Sequence, residues 1–281
     1  MRREALSGES NTVKISKLKT LIIIMLVIVN GFLLSLALPR LTAERRQMQE
    51  EKKSLVRLLR ESDIQTDIEA IPDDVRLETL TVGRDEAVES KAVRMLLGEY
   101  EFSDMGGGIH SYESGAGSAE FRAGGDFSIE LTSGAERYRT PDTAGRLFKD
   151  LGFDALNFRT FFEDGSECAS ADQALNGAAI FNCTVTARYD ETGLRSISGT
   201  WITSAEPSSR EDTRAIGVAT ALVSFLDRSE NMGIVCGEIT GVEAGYLLSR
   251  SSQSVELNPV WRIAADTGTY FVNALSGEII I

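Results

Sequence analysis

The stretch FNCTVTARYDETGLRSISGTW, residues 181–201, decides the fold class. Phe181, Cys183, Val185, Ala187 and Tyr189 alternate with Asn182, Thr184, Thr186 and Arg188, a period of two that buries one set and wets the other. Residues 190–193 turn the chain, with Asp190 where its carboxylate can bond its own backbone, and Ile197 and Trp201 return on a second strand. An antiparallel hairpin with one solvated face follows.

Outward from the hairpin, helices alternate with groups of strands. Ser208 and Glu211 form a capping-box pattern ahead of a helix carrying Ile216, Ala219, Val223 and Leu226 at helical spacing. Strands are expected at 234–249, bent near Gly241 or Gly245, and at 260–265 and 269–275, joined through Asp266, Thr267 and Gly268. Upstream, the pattern predicts a helix over 84–97 with Val88, Ala92, Met95 and Leu96 on one side and a stop at Gly98. Strands are expected at 100–103, 119–123 and 126–131. A second helix opens with Thr140 as N-cap and Pro141, presents Leu147, Phe148 and Leu151, and ends at Gly152. AEFRAGGDFSIEL (119–131) and VWRIAADTGTYFV (260–272) share one strand-turn-strand cadence. The expectation is an α+β fold of two related helix-plus-antiparallel-sheet modules, 75–151 and 152–281.

The run LIIIMLVIVNGFLLSLAL, residues 21–38, has no charge and is closed by Pro39 and Arg40. At 1.5 Å per residue it covers about 27 Å, close to a hydrocarbon core of about 30 Å, so it reads as one membrane-spanning helix in a lipid bilayer. A leader cleaved after Ala43 is the competing reading; the run exceeds the ~7 to 15 apolar residues such leaders carry. Asn30, Gly31 and Ser35 put one polar side chain and a small-xxx-small pair in the span, the residue types through which helices associate in lipid. Residues 1–20 read as a cytoplasmic tail. Residues 39–74 read as a solvated juxtamembrane helix and a connector interrupted by Pro72.

Charge divides along the same line. Residues 1–60 hold 12 of the 29 Lys and Arg but only 5 of the 42 Asp and Glu, which leaves the body strongly acidic and excludes nucleic acid as its expected partner. Basic residues flank the run on both sides, so the body is placed outside the membrane on its length, with the N-terminus inside. Three cysteines form no C-x-x-C, and Cys183 reads as a small buried hydrophobe. His110, the only histidine, follows Gly106, Gly107 and Gly108 and is expected in a solvent-facing turn or strand end. The Gly-rich stretches lack a phosphate-loop pattern, and no calcium-loop spacing occurs. No catalytic residue, cofactor or metal site is indicated. Trp261, Tyr270 and Phe271 read as sheet core.

KLKTLIIIMLVIVNGFLL (17–34), the hairpin, and above all NPVWRIAADTGTYFVNALSGEI (258–279) resemble the YycH/YycI proteins, on the YycI side, with a PepSY-like C-terminal cadence. The resemblance covers the span and most of 179–281. It implies a single-pass, non-enzymatic accessory regulator of a cell-wall sensor histidine kinase of the WalK/YycG type, touching the kinase through the span and a YycH-like protein through the extracytoplasmic body. The alternative is a membrane-tethered PepSY-like protease inhibitor or envelope-binding module.

Overall fold

The computed structural model describes residues 23, 25–27, 29–30, 47–75, 77–208, 215–251 and 254–280. Internal contacts divide the chain into two compact units, 1–58 and 59–281. In the apolar run, Ile23, Met25, Leu26, Val27, Val29 and Asn30 are helical and exposed. Gly31, Ser35 and the tail 1–20 lie outside the described residues. No helix among the described residues is long and apolar enough to cross a membrane. A helix, α1, covers 47–61, and an Nε2–H of Gln47 donates to Glu51 at 2.9 Å while Lys53 pairs with Glu50 at 2.8 Å. Such pairs at three- and four-residue spacing each support a helix by a few tenths of a kcal/mol, about 0.2–0.5. The expected solvated stalk is corrected at its end, where Leu55, Val56 and Leu59 are buried.

The unit 59–281 is a mixed α+β structure dominated by one large sheet. Two short strands, β1 (Gln65–Thr66) and β2 (Leu80–Gly83), precede helix α2 (Glu86–Leu97). Four strands follow: β3 (Glu101–Gly106), β4 (Ile109–Ser114), β5 (Gly117–Arg122) and β6 (Asp126–Ala135). Helix α3 (Ala144–Leu151) then leads into β7 (Ala155–Glu163), β8 (Ser166–Leu175), β9 (Ala178–Asp190) and β10 (Gly193–Thr200). After β11 (Ser204–Pro207), helix α4 (Val218–Met232) leads into β12 (Glu238–Arg250), β13 (Val255–Ala265), β14 (Gly268–Asn273) and β15 (Ile279–Ile280). A helix followed by an up-and-down run of strands thus occurs three times.

The first two runs lie edge to edge, in the order β3–β4–β5–β6–β10–β9–β8–β7, all antiparallel. Register carries the hydrophobic pattern across all eight. Phe102, Tyr112, Ala119, Ile129, Ile197, Ala187, Ala169 and Thr160 form one continuous cross-strand row. Its buried members pack with Ala92, Val93 and Leu97 of α2 and Leu147, Phe148 and Leu151 of α3. One residue along, Ser103, Ser111, Glu120, Ser128, Ser198, Thr186, Ser170 and Arg159 make an equally continuous row on the opposite face. The period of two puts both helices on one side and a polar Ser/Thr/Glu/Arg row on the other, in which Ser170 alone is buried.

Strand β9 joins this sheet to the rest. Its C-terminal half pairs with β10, while Ala179 and Ile180 pair parallel with Gly245 and Tyr246 of β12. Two side-chain amides complete the fork. Asn182 accepts from the Leu248 N–H at 2.8 Å and donates to the Leu248 carbonyl at 2.9 Å, and Gln173 makes the same reciprocal pair with Ile202 at 2.8 and 2.7 Å. Each amide replaces a backbone partner that the diverging strands no longer supply. The register skips at the fork, so Ile180 and not Phe181 is buried there. Gly245 is required at the junction: a Cβ would lie 2.5 Å from the Ala179 carbonyl and 2.5 Å from the Phe181 ring.

Helix α4 begins at Val218, later than its sequence pattern predicts, because its cap comes from elsewhere. The Val218 N–H donates to Asp74 Oδ1 at 2.7 Å. Ile216, expected inside the helix, instead lies before it; its N–H donates to the Ala274 carbonyl at 2.7 Å and its carbonyl accepts from Trp261 Nε1–H at 2.9 Å. Glu211 of the expected capping box lies outside the described residues. Replacing Asp74 with alanine should lower stability by about 1–2 kcal/mol, the cost of a lost N-cap, read as a shift in the denaturant midpoint with unchanged slope.

Candidate functional site

Strand β3 is one end of the eight-strand sheet, paired only with β4 among the described residues, and every residue of it is exposed. A two-residue turn makes this edge possible. Gly107 and Gly108 take φ of +63° and +77°, a conformation that costs side-chain-bearing residues about 1–2 kcal/mol, and Asp104 Oδ1 accepts the Gly106 N–H at 2.9 Å. The edge carries two large apolar side chains, Phe102 at 51% and Met105 at 68% exposure. Beside it lies a shallow depression of about 500 Å³ lined by Glu99, Tyr100, Glu101, Glu113, Ser114 and Gly115. Unpaired strand groups, exposed apolar anchors and neighbouring carboxylates suit an extended, basic segment of another protein adding to the sheet.

Directly under this edge sits a buried charged cluster. His110 on β4 is 8% exposed, which corrects the solvent-facing position expected for it. Alternation explains the burial: His110 lies on the same face as Tyr112, under the ring of Phe102, which meets the imidazole edge-on at 5.1 Å. Glu89 reaches the pair from α2. Its Oε1 accepts from Arg84 Nε at 2.8 Å, while Oε2 lies 3.6 Å from His110 Nδ1 and 3.5 Å from the Tyr112 hydroxyl. Burial pushes the Glu89 carboxyl above the ordinary carboxylate range, outweighing the pull of Arg84 and His110. Burial, reinforced by the Glu89 charge, pushes Tyr112 up to about 12. Arg84 Nη2 and His110 Nδ1 are buried without a hydrogen-bond partner. Glu89 ties α2 to β4 through its Oε2, which faces His110 and Tyr112, while Arg84, from the connection just before α2, holds the other carboxylate oxygen.

The position of Glu89 is written in the helix periodicity. The buried stripe of α2 is Glu89, Ala92, Val93 and Leu97, one position round from the expected stripe of Val88, Ala92, Met95 and Leu96. A carboxylate falls on the core side of the helix. Of the other singled-out residues, Asn30 is helical and exposed, and Trp261 is buried, whereas Tyr270 and Phe271 are half-buried. Tyr270 packs on Phe225 of α4 and Phe271 on Phe181. Cys183 is buried as expected, and burial pushes its thiol up to about 12, making it an inert filler. Among the described residues no group of three or more His, Cys, Asp or Glu has a metal-holding arrangement.

No family model matches the chain, and no curated protein does. Among solved structures, an uncharacterized protein from Eubacterium rectale ATCC 33656 is similar, with 10% identity over 78% of this chain and 88% of that one and a TM-score of 0.40.

Proposed function

We propose that the chain is a membrane-anchored, non-enzymatic accessory regulator of a cell-wall sensor histidine kinase of the WalK/YycG type. The apolar run 21–38 crosses the bilayer with the N-terminus inside and meets the kinase through Asn30, Gly31 and Ser35. The body, read as two PepSY-like modules over 75–151 and 152–281, stands outside the cell and binds a YycH-like protein. The single observation that supports this reading is an open, acidic strand edge with Phe102 and Met105 exposed, in a chain whose residues 21–38 form an uncharged apolar run. Association regulates a kinase only where the contact differs between its two arrangements, so the span contact must favour one of them.

The test is recovery of partners on the full chain from membranes. Replacing Asn30 and Gly31 with leucine should cut kinase recovery several-fold with insertion intact, at about 0.6–2 kcal/mol per intramembrane polar contact. Replacing Phe102 and Met105 with serine should release the YycH-like protein and leave kinase recovery unchanged. Recovery of a protease, with neither a kinase nor a YycH-like protein, overturns the proposal in favour of an inhibitor.

A further inference from the structure

The eight-strand sheet has a second open edge, and its chemistry differs from that of β3. Strand β7 pairs only with β8 among the described residues, and from Asn157 to Glu163 every residue is exposed. Phe158, Phe161 and Phe162 stand at 51%, 39% and 73% exposure. An unpaired strand bearing three exposed phenylalanines is an aggregation liability unless something specific covers it.

Backbone direction along β7 follows from its hairpin. Asp164 and Gly165 have φ of +50° and +75° and join Glu163 to Ser166, the two-residue turn whose closing pair exchanges both hydrogen bonds. Alternation then turns the N–H and C=O of Glu163, Phe161 and Arg159 toward β8 and leaves those of Phe162 and Thr160 pointing out of the edge. At the other end the register shifts between Leu156 and Arg159, with Asn157 at φ +53°, so the regular ladder runs from 159 to 163.

We propose that β7 pairs antiparallel with β7 of a second copy of this chain, about a two-fold axis at Phe161. In that register Thr160 of each copy faces Phe162 of the other, and these are the residues whose backbone groups point outward. Arg159 of each copy faces Glu163 of the other on the polar face, twice by symmetry, and the two Phe161 rings meet at the axis. Antiparallel registers centred on a neighbouring residue lose both Arg–Glu pairs. Within one copy Arg159 already pairs with Asp172 at 2.7 Å and Glu163 with Arg188. Association therefore links four alternating charges on each side of the axis. The β3 edge cannot do the same, because it carries Glu101 and Asp104 and no basic residue. The fold contains an internal precedent, since β6 and β10 join its two four-strand runs by the same edge-to-edge antiparallel pairing. A ladder of five residues is a small interface, and the dimer is correspondingly weak and concentration-dependent.

The test is oxidative cross-linking of the full chain with Phe161→Cys, in a background of Cys168→Ala and Cys236→Ser. Cys168 is removed because it is the cross-strand partner of Phe161 on β8. Opposed residues of a non-hydrogen-bonded pair stand about 4.5 Å apart between Cα atoms, within the range of a disulfide. A disulfide-linked dimer is expected from Phe161→Cys and none from Glu130→Cys, which lies mid-sheet on the same polar face. Thr160→Pro removes only an outward N–H, so the chain stays folded by circular dichroism and the cross-link is lost. Arg159→Glu and Glu163→Arg should each lower the cross-linked fraction about tenfold, and together recover part of it, because the swapped charges again face each other across the axis while each loses its partner, Asp172 or Arg188, within its own copy. Absence of the cross-link in a folded chain overturns the proposal, as does a cross-link indifferent to Thr160→Pro. So does a dimer by sedimentation that survives both single charge reversals.

Discussion

Replacing Trp261 with alanine is expected to destabilise the unit 59–281 by about 3–5 kcal/mol, the range for removing a large aromatic from a closed core. Trp261 is 1% exposed on β13, between Ala244 of β12 and Val272 of β14. Its indole also holds the carbonyl of Ile216, two residues before α4 begins. Loss of the ring opens a cavity and frees the entry to the helix together, so α4 should loosen first. Hydrogen exchange should show amides of 218–232 losing protection before those of β9 and β10. A Trp261→Phe variant keeps most of the volume and loses the bond, and should cost about 1–2 kcal/mol. Equal losses for the two variants would place the energy in the hydrogen bond alone.

The parts of this fold that were legible from sequence were those whose information is local. The hairpin β9–β10 is written in residues 181–201 because alternation and the turn at Asp190 lie within one short stretch, and β13–β14 is written the same way around Gly268. The hairpin β7–β8 was not foreseen. SECASADQAL is built largely from small residues, and both its faces are buried: Ala169 and Ala171 lie in the core with Leu147, Phe148 and Leu151 of α3, and Cys168 lies between Phe161 and Arg188 of the flanking strands. The start of α4 was misplaced because its cap, Asp74, comes from 144 residues away. Strand β4 was hidden by its polar content: IHSYES buries His110 and Tyr112 through alternation, but only Glu89 on a different element makes that burial tolerable. The apolar anchors at Phe102 and Met105 had no local signal, because an edge is a property of the whole strand order.

Replacing Glu89 with alanine is expected to cost about 3 kcal/mol at neutral pH, the low end for breaking a buried ion pair by removing one partner. The low end applies because burial outweighs the attraction of Arg84, which is why the carboxyl lies above its ordinary range. Arg84 would be left partly buried with no carboxylate, and α2 would lose its polar tie to β4. The same shift sets a pH dependence with a definite sign. A carboxyl raised in the folded state binds its proton more tightly there than in the unfolded chain. Its contribution is therefore greatest below the ordinary carboxylate range and is lost as pH rises through the raised value. The half-buried Asp150 and the exposed Asp190 are lowered first by their hydrogen bonds to Tyr138 and Thr192 and act in the opposite direction. The difference between the native chain and Glu89→Gln isolates the buried group. That difference should move in favour of Glu89→Gln as pH rises from 4 toward neutrality, in denaturation curves taken at constant ionic strength; a flat difference would mean that Glu89 stays solvated.

Strand β2 is among the earliest parts of the body to be synthesised, yet its partners are β11 and Glu256–Leu257 of β13. Gln65–Thr66 likewise waits for Glu238–Ile239, and Asp74 for the N-terminus of α4. A nascent chain leaving the ribosome therefore cannot close its first segment until nearly the whole polypeptide exists, and such long sequence separations make for slow folding. The eight-strand half, complete by residue 200, can assemble while that segment still hangs free. Premature termination beyond this point would leave a half-formed body with its opening strands exposed, the kind of species that quality-control proteases remove.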